Sequence, residues 1–145
     1  MTIVAAVDRS NRAAAVIEEG QRLGDAFGED LHVVHVLGRG EFLDLERTSV
    51  DDTGQPVPMD EVRRVARDVA AETAEAVGVD AEAVGLVGSA ADEIIRYADE
   101  QDASYIILGG RKRSPVGKAV FGSVTQDVLL GADRPVVSVI DRSGD

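Results

Sequence analysis

The sequence predicts an α/β domain in which a doubly wound, five-stranded parallel sheet carries helices on both faces. Apolar runs of strand length alternate with longer amphipathic segments, the pattern of repeated βα units. Several runs, such as Tyr105-Ile106-Ile107-Leu108 and Val136-Val137-Ser138-Val139, are nearly continuous in apolar residues, as strands covered on both faces should be. The length of 145 residues fits one domain, 1–145, and such a domain buries roughly 70% of the surface its unfolded chain exposes.

Taken in order, the strands are expected at Thr2 to Val7, Leu31 to Leu37, Asp80 to Val87, Ser104 to Leu108 and Pro135 to Ile140. Helices are expected at Asn11 to Phe27, Met59 to Val77, Ala90 to Gln101 and Ala119 to Leu130. In the second helix, Val62, Val65, Val69 and Thr73 recur at helical spacing as a core stripe, while Glu61, Arg64, Asp68, Glu72 and Glu75 mark a solvated face. Ser89 before Ala90-Ala91-Asp92 reads as a helix cap. Between Gly38 and Pro58 the alternation breaks, with Gly38, Gly40, Gly54, Pro56 and Pro58 around an acidic middle. No strand or long helix is expected there; the stretch reads as a flap over the carboxyl edge of the sheet.

Composition removes several function classes. The chain has no cysteine, which excludes disulfides, thiolate metal sites and a cysteine nucleophile. The apolar runs are far shorter than the roughly 20 residues that span a bilayer. The opening Thr2-Ile3-Val4-Ala5-Ala6-Val7 is strand-like rather than signal-like, so a cytoplasmic protein is expected. Against 15 Lys and Arg stand 27 Asp and Glu, a net charge of −12. Such a surface disfavours nucleic acid and anionic membrane as partners. Lys112 and Lys118 are the only lysines, and Asp outnumbers Glu 16 to 11. This usage resembles that of proteins from a high-salt, halophilic cytoplasm.

Both lysines fall in Gly109 to Ser123, GGRKRSPVGKAVFGS, which follows the fourth strand. Ligands of doubly wound sheets bind at the carboxyl ends of strands, near the point where strand order reverses. Gly109 and Gly110 let amides approach an anion closely. Arg111, Lys112, Arg113 and Lys118 add four cations within eight residues, the groups that hold a phosphate. Gly122-Ser123 adds an amide and a hydroxyl.

This segment resembles the nucleotide loop of the universal stress protein family, G-x2-G-x9-G-[ST]. Gly109 and Gly122-Ser123 stand at the family's spacing, with Arg134-Pro135-Val136 matching the closing strand. Val7-Asp8-Arg9-Ser10 looks like the family's V-D-x-S turn, His35-Val36 matches an H-V pair, and Gly88 and Ala98 match recurrent positions. The resemblance covers nearly the whole chain. It implies a Rossmann-like sheet of strand order 3-2-1-4-5 and a stress-response regulatory role exercised on a client protein. It also implies an adenine nucleotide site for ATP, with Mg²⁺ as an accompanying ion. In that site Asp8 lies by the ribose and Val36 by the adenine, with Ala6 and Leu108 lining the pocket. Gly109, Gly122, Ser123 and Val124 would contact ribose and phosphates. Lys112 replaces the motif's middle glycine; its ammonium either binds the same phosphate or crowds it. A dimeric scaffold that has lost nucleotide affinity is the alternative, and a slow ATPase a remote one.

Other chemistry is thin. His32 and His35 are three apart on one strand, so they point to opposite faces and cannot share one metal without a bulge; buried or interfacial roles are expected. Asp8 also reads as a cap for the helix beginning near Asn11. There is no G-x4-G-K-[ST] loop, since Gly117-Lys118 precedes Ala119, and a dedicated enzyme is not expected. The apolar final strand, Val136 to Ile140, should lie at the sheet edge and pair with a second copy.

Overall fold

The computed structural model describes residues 1–113 and 119–140, side chains from 111 to 120 excepted. The elements are β1 (Thr2–Ala6), α1 (Ala13–Phe27), β2 (Asp30–Leu37), α2 (Arg39–Thr53), α3 (Met59–Ala76) and β3 (Glu82–Val87). They continue with α4 (Ala90–Glu100), β4 (Ala103–Arg113), β5 (Ala119–Val120), α5 (Ser123–Gly131) and β6 (Val136–Ile140). Five strands run parallel in the order β3-β2-β1-β4-β6. With β6 counted as the fifth parallel strand, this is the expected 3-2-1-4-5 order.

The continuous apolar runs fill the middle of this sheet. Ile3, Ala5, Val33 and Ile107 pack on one face with Val16 and Ile17 of α1 and Ala70 of α3. Val4, Val34 and Ile106 pack on the other with Ile94 and Ala98 of α4 and Val128 of α5. Strand alternation therefore delivers one apolar set to each helical layer.

On α3 the buried line is Val62, Ala66, Ala70 and Ala74, whereas Val65, Val69 and Thr73 are only half-buried. The shift from the expected stripe comes from close packing on β3. A Cβ at Gly85 would lie 2.2 Å from the Arg63 carbonyl oxygen and 2.4 Å from the Arg67 nitrogen. Small alanines and that glycine let helix and strand backbones nearly touch, which larger residues prevent.

Three expectations are corrected. The stretch from Gly38 to Pro58 contains a helix: α2 starts after Gly38 and ends where Gly54 adopts φ 73°, its N–H bonded to the Val50 carbonyl. The helix has no buried residue, and Phe42 and Leu45 rest half-buried on Leu37 and Val62, so its apolar pattern is too weak to read against the turn residues flanking it. Second, the fourth strand continues to Arg113 and pairs antiparallel with β5, Arg111 opposite Val120. The last helix accordingly begins at Ser123 rather than Ala119. Gly109 and Gly110 are paired with Val139 and Ile140 of β6, and neither has a positive φ. Gly110 serves close approach, since a Cβ there would lie 2.8 Å from Ser138 Oγ. Third, Asp8 does not cap α1. Its Oδ1 accepts from the Ser10 N–H at 2.8 Å, Ser10 Oγ accepts from the Arg12 N–H at 3.3 Å, and the helix starts only at Ala13. Ser89 does stand at the start of α4, but without a side-chain capping bond.

Candidate functional site

Strand order reverses between β1 and β4, the place where crossovers leave toward opposite faces and a crevice opens. There the carboxyl ends of β1, β2 and β4 meet the first turns of α2, α4 and α5 around a cavity of about 310 Å³. Its apolar surface comes from residues such as Ala6, Val34, Val36, Ile94 and Leu108. Its polar groups are Asp8, Ser10, Arg12, His35, Glu41 and Thr125. A concave, mostly apolar wall with a few convergent polar groups is the usual form of a small-molecule site. Larger hollows along α3 and β3 and between α4 and α5 are shallow, open surface grooves that do not lie at the reversal between β1 and β4.

Of the residues singled out from sequence, Ala6, Asp8, Val36, Leu108, Gly109 and Val124 line this one cavity. Gly122 and Ser123 do not line it; Gly122 stands at the N-cap of α5, and Ser123, its first residue, is exposed. The side chain of Lys112, with those of Arg111, Arg113 and Lys118, lies outside the described ones.

Several groups facing the cavity were missed. Thr125 is buried and donates from Oγ1 to the Gly109 carbonyl at 2.9 Å, which ties the start of α5 to the end of β4. The amides at that helix start, with the helix dipole behind them, are suited to an anion. His35 is buried and donates from Nδ1 to the Val7 carbonyl at 2.9 Å. The Val7 N–H in turn donates to the Val34 carbonyl at 2.8 Å, so the turn carrying Asp8 is tied twice to β2. Glu41, from the first turn of α2, faces His35 and pairs with Arg9 at 3.4 Å. The signal for His35 was present in the H-V pair, of which only Val36 was given a ligand role. Glu41 was hidden in the segment read as having no helix.

Among the described residues there is no cluster of three or more His, Asp or Glu side chains suited to a metal ion, and no helix is long and apolar enough to cross a membrane. His32, on the opposite face of β2 from His35, bonds Tyr97 and Glu82 and contributes nothing to the cavity.

Known proteins share both the sequence and the architecture. The family model described as the universal stress protein family matches residues 1–139. A universal stress protein of Mycolicibacterium smegmatis is 31% identical over 136 residues, spanning 93% of this chain and 86% of that protein. A universal stress protein from Archaeoglobus fulgidus superposes with a TM-score of 0.64 at 36% identity, covering 96% of this chain and 98% of that one. Another solved structure, the universal stress protein from Archaeoglobus fulgidus in complex with dAMP, gives a TM-score of 0.61 at 30% identity, covering 96% and 97%. A match of this length, on a sheet of this order with its cavity at the reversal point, assigns the chain to the universal stress protein family.

Proposed function

We propose that this protein is a cytoplasmic stress-response regulator that binds an adenine nucleotide, ATP in the first instance, in the cavity between β1, β2 and β4. The observation that carries the reading is the convergence of Ala6, Asp8, Val36, Leu108, Gly109 and Val124 on one crevice beside the first turn of α5. Apolar Ala6, Val36 and Leu108 suit a base, the Asp8 carboxylate suits a ribose hydroxyl, and the α5 amides suit phosphate. The complex of a relative with dAMP supports the same ligand class. Mg²⁺ would enter with the nucleotide's phosphates, with Asp8 as the nearest carboxylate of the β1–α1 turn. The reading is of a binding module rather than an enzyme, in which occupancy is communicated to a client protein.

The same reading includes a homodimer through β6. Val136–Ile140 is half-buried at the edge of the parallel sheet, and Phe121, Leu129 and Leu130 are exposed apolar residues on and before α5. Pairing across a twofold axis would cover an edge that otherwise invites association. The acidic composition is read as adaptation to a saline cytoplasm.

Equilibrium dialysis with labelled ATP in multimolar KCl tests the nucleotide reading. Saturable binding below millimolar concentration is expected, and ligand at 100 times its Kd should stabilise the fold by about 2.7 kcal/mol in a thermal melt. Absence of saturable binding would leave the dimeric scaffold as the function.

A further inference from the structure

The wall of the cavity contains a buried polar atom whose hydrogen-bonding capacity is unused in the fold. His35 Nδ1 lies 2.9 Å from the Val7 carbonyl oxygen, and a carbonyl only accepts, so Nδ1 carries the ring proton. In the neutral imidazole Nε2 then presents a lone pair. The side chain is 5% exposed, and Nε2 is buried without a hydrogen-bond partner. Facing it at 3.9 Å is Glu41 Oε1. An ionised carboxylate is an acceptor as well, so with the ring neutral the two atoms are both acceptors and make no hydrogen bond to each other.

We infer that His35 is a recognition residue for the occupant of this cavity, its Nε2 accepting a hydrogen bond from a ligand N–H or O–H. This rests on the nucleotide reading above. In a nucleotide such donors are the exocyclic amino group of the base and the 2′- and 3′-hydroxyls of the ribose. The cavity therefore selects ligands that bring a donor to this point and rejects those that bring an acceptor, because a second lone pair there would leave both atoms buried and unpaired. The ligand reaches Nε2 by displacing the Glu41 side chain. That displacement is easy: the Glu41 side chain is 43% exposed, its partner Arg9 is 61% exposed, and α2 has no buried residue. Exposed ion pairs of this kind contribute little.

Two variants separate this role from a structural one. His35→Asn places an amide where Nδ1 stood, keeping the bond to Val7, and leaves no atom at Nε2. Glu41→Gln offers an amide N–H to Nε2 from within the protein and so occupies the acceptor without altering the histidine; it sits on an exposed helix and leaves the core untouched. Dissociation constants are measured at pH 8 for ATP, ITP, 2′-deoxy-ATP and 3′-deoxy-ATP. Both variants should weaken ATP about 3- to 10-fold, the range of one net neutral hydrogen bond. If the donor is a ribose hydroxyl, they should leave unchanged the affinity of the deoxy analogue that lacks it; if it is the amino group, ITP, which carries an oxygen acceptor in its place, should lose no affinity in either variant. Equal weakening of all four nucleotides, or no weakening by either variant, overturns the inference while leaving the nucleotide reading intact. A wild-type protein that binds none of the four overturns the nucleotide reading itself, and the role of His35 with it.

Discussion

The two histidines of β2 stand three residues apart and mark two differently built ends of the sheet. At the amino end, His32 is fully used: the Tyr97 hydroxyl donates to Nδ1 at 2.7 Å, and Nε2–H donates to Glu82 at 2.9 Å. At the same end of the sheet, on its other face, Phe27 stacks on Tyr105 with ring centroids 5.8 Å apart. Arg134 ties Asp99, Asp102 and the Ala103 carbonyl together. At the carboxyl end, His35 is half used, and the space beyond it is a cavity. The same residue type is structural where the fold supplies both partners and ligand-facing where it supplies one. Partnership, rather than burial, distinguishes the two, since both side chains are buried.

The comparison breaks if the amino end turns out to govern binding. His32→Ala should have the largest effect, costing about 3 kcal/mol through a new void and an unpaired Tyr97 hydroxyl. The urea midpoint should fall with nucleotide affinity unchanged within a factor of two; a parallel loss of binding would show that the ends are not independent.

Tyr97→Phe sharpens the same point at lower cost, about 1.5 kcal/mol, because it leaves His32 Nδ1 unpaired while keeping the ring. It also has a signature in pH. Burial, followed by the negative charges of Glu82 and Glu100, pushes the Tyr97 hydroxyl from 10.0 up to about 12. The native state thus holds this proton between pH 10 and 12 while the unfolded chain releases it. The associated stability is complete below pH 10 and declines toward pH 12 by at most about 1.4 kcal/mol per pH unit. In denaturant melts across that window, Tyr97→Phe should remove this part of the decline.

Thr125→Val gives the smallest of the three effects on stability, about 1 kcal/mol for the lost bond to Gly109, yet it acts at the open end. Nucleotide affinity should fall with it, because α5 is no longer fixed to β4 beside the cavity. Unchanged affinity in a dialysis measurement would show that the α5 start does not position phosphate.

The sheet was legible because its signal is local: runs such as Tyr105 to Leu108 announce a covered strand whatever follows. The extension of β4 was not, because Gly109-Gly110 looks like a turn and becomes strand only through partners about 30 residues away, Val139 and Ile140. Helix α2 escaped notice because a helix that buries nothing carries little hydrophobic period. In the site, positions at strand ends such as Ala6, Asp8 and Leu108 followed from the topology. His35 was marked by the H-V pair, but its unpaired Nε2 was not visible there, and Glu41 required knowing that α2 packs against the end of β2, a tertiary fact with no trace in spacing. Ser123 illustrates the opposite case, a motif residue that the backbone places at the helix start, where it is exposed and is not among the residues lining the cavity.

Helix α2 also bears on how the molecule breathes. Free energies of local opening range from near zero to that of global unfolding, according to how much buried contact each segment must give up. Every other long helix has buried residues in the core, but α2 rests on Phe42 and Leu45, both half-buried. Its amides are expected to exchange with solvent ahead of those of the central strands β1, β2 and β4. Opening of this helix would carry Glu41 away from the wall of the cavity while the five-stranded frame and the amino-end network stay closed.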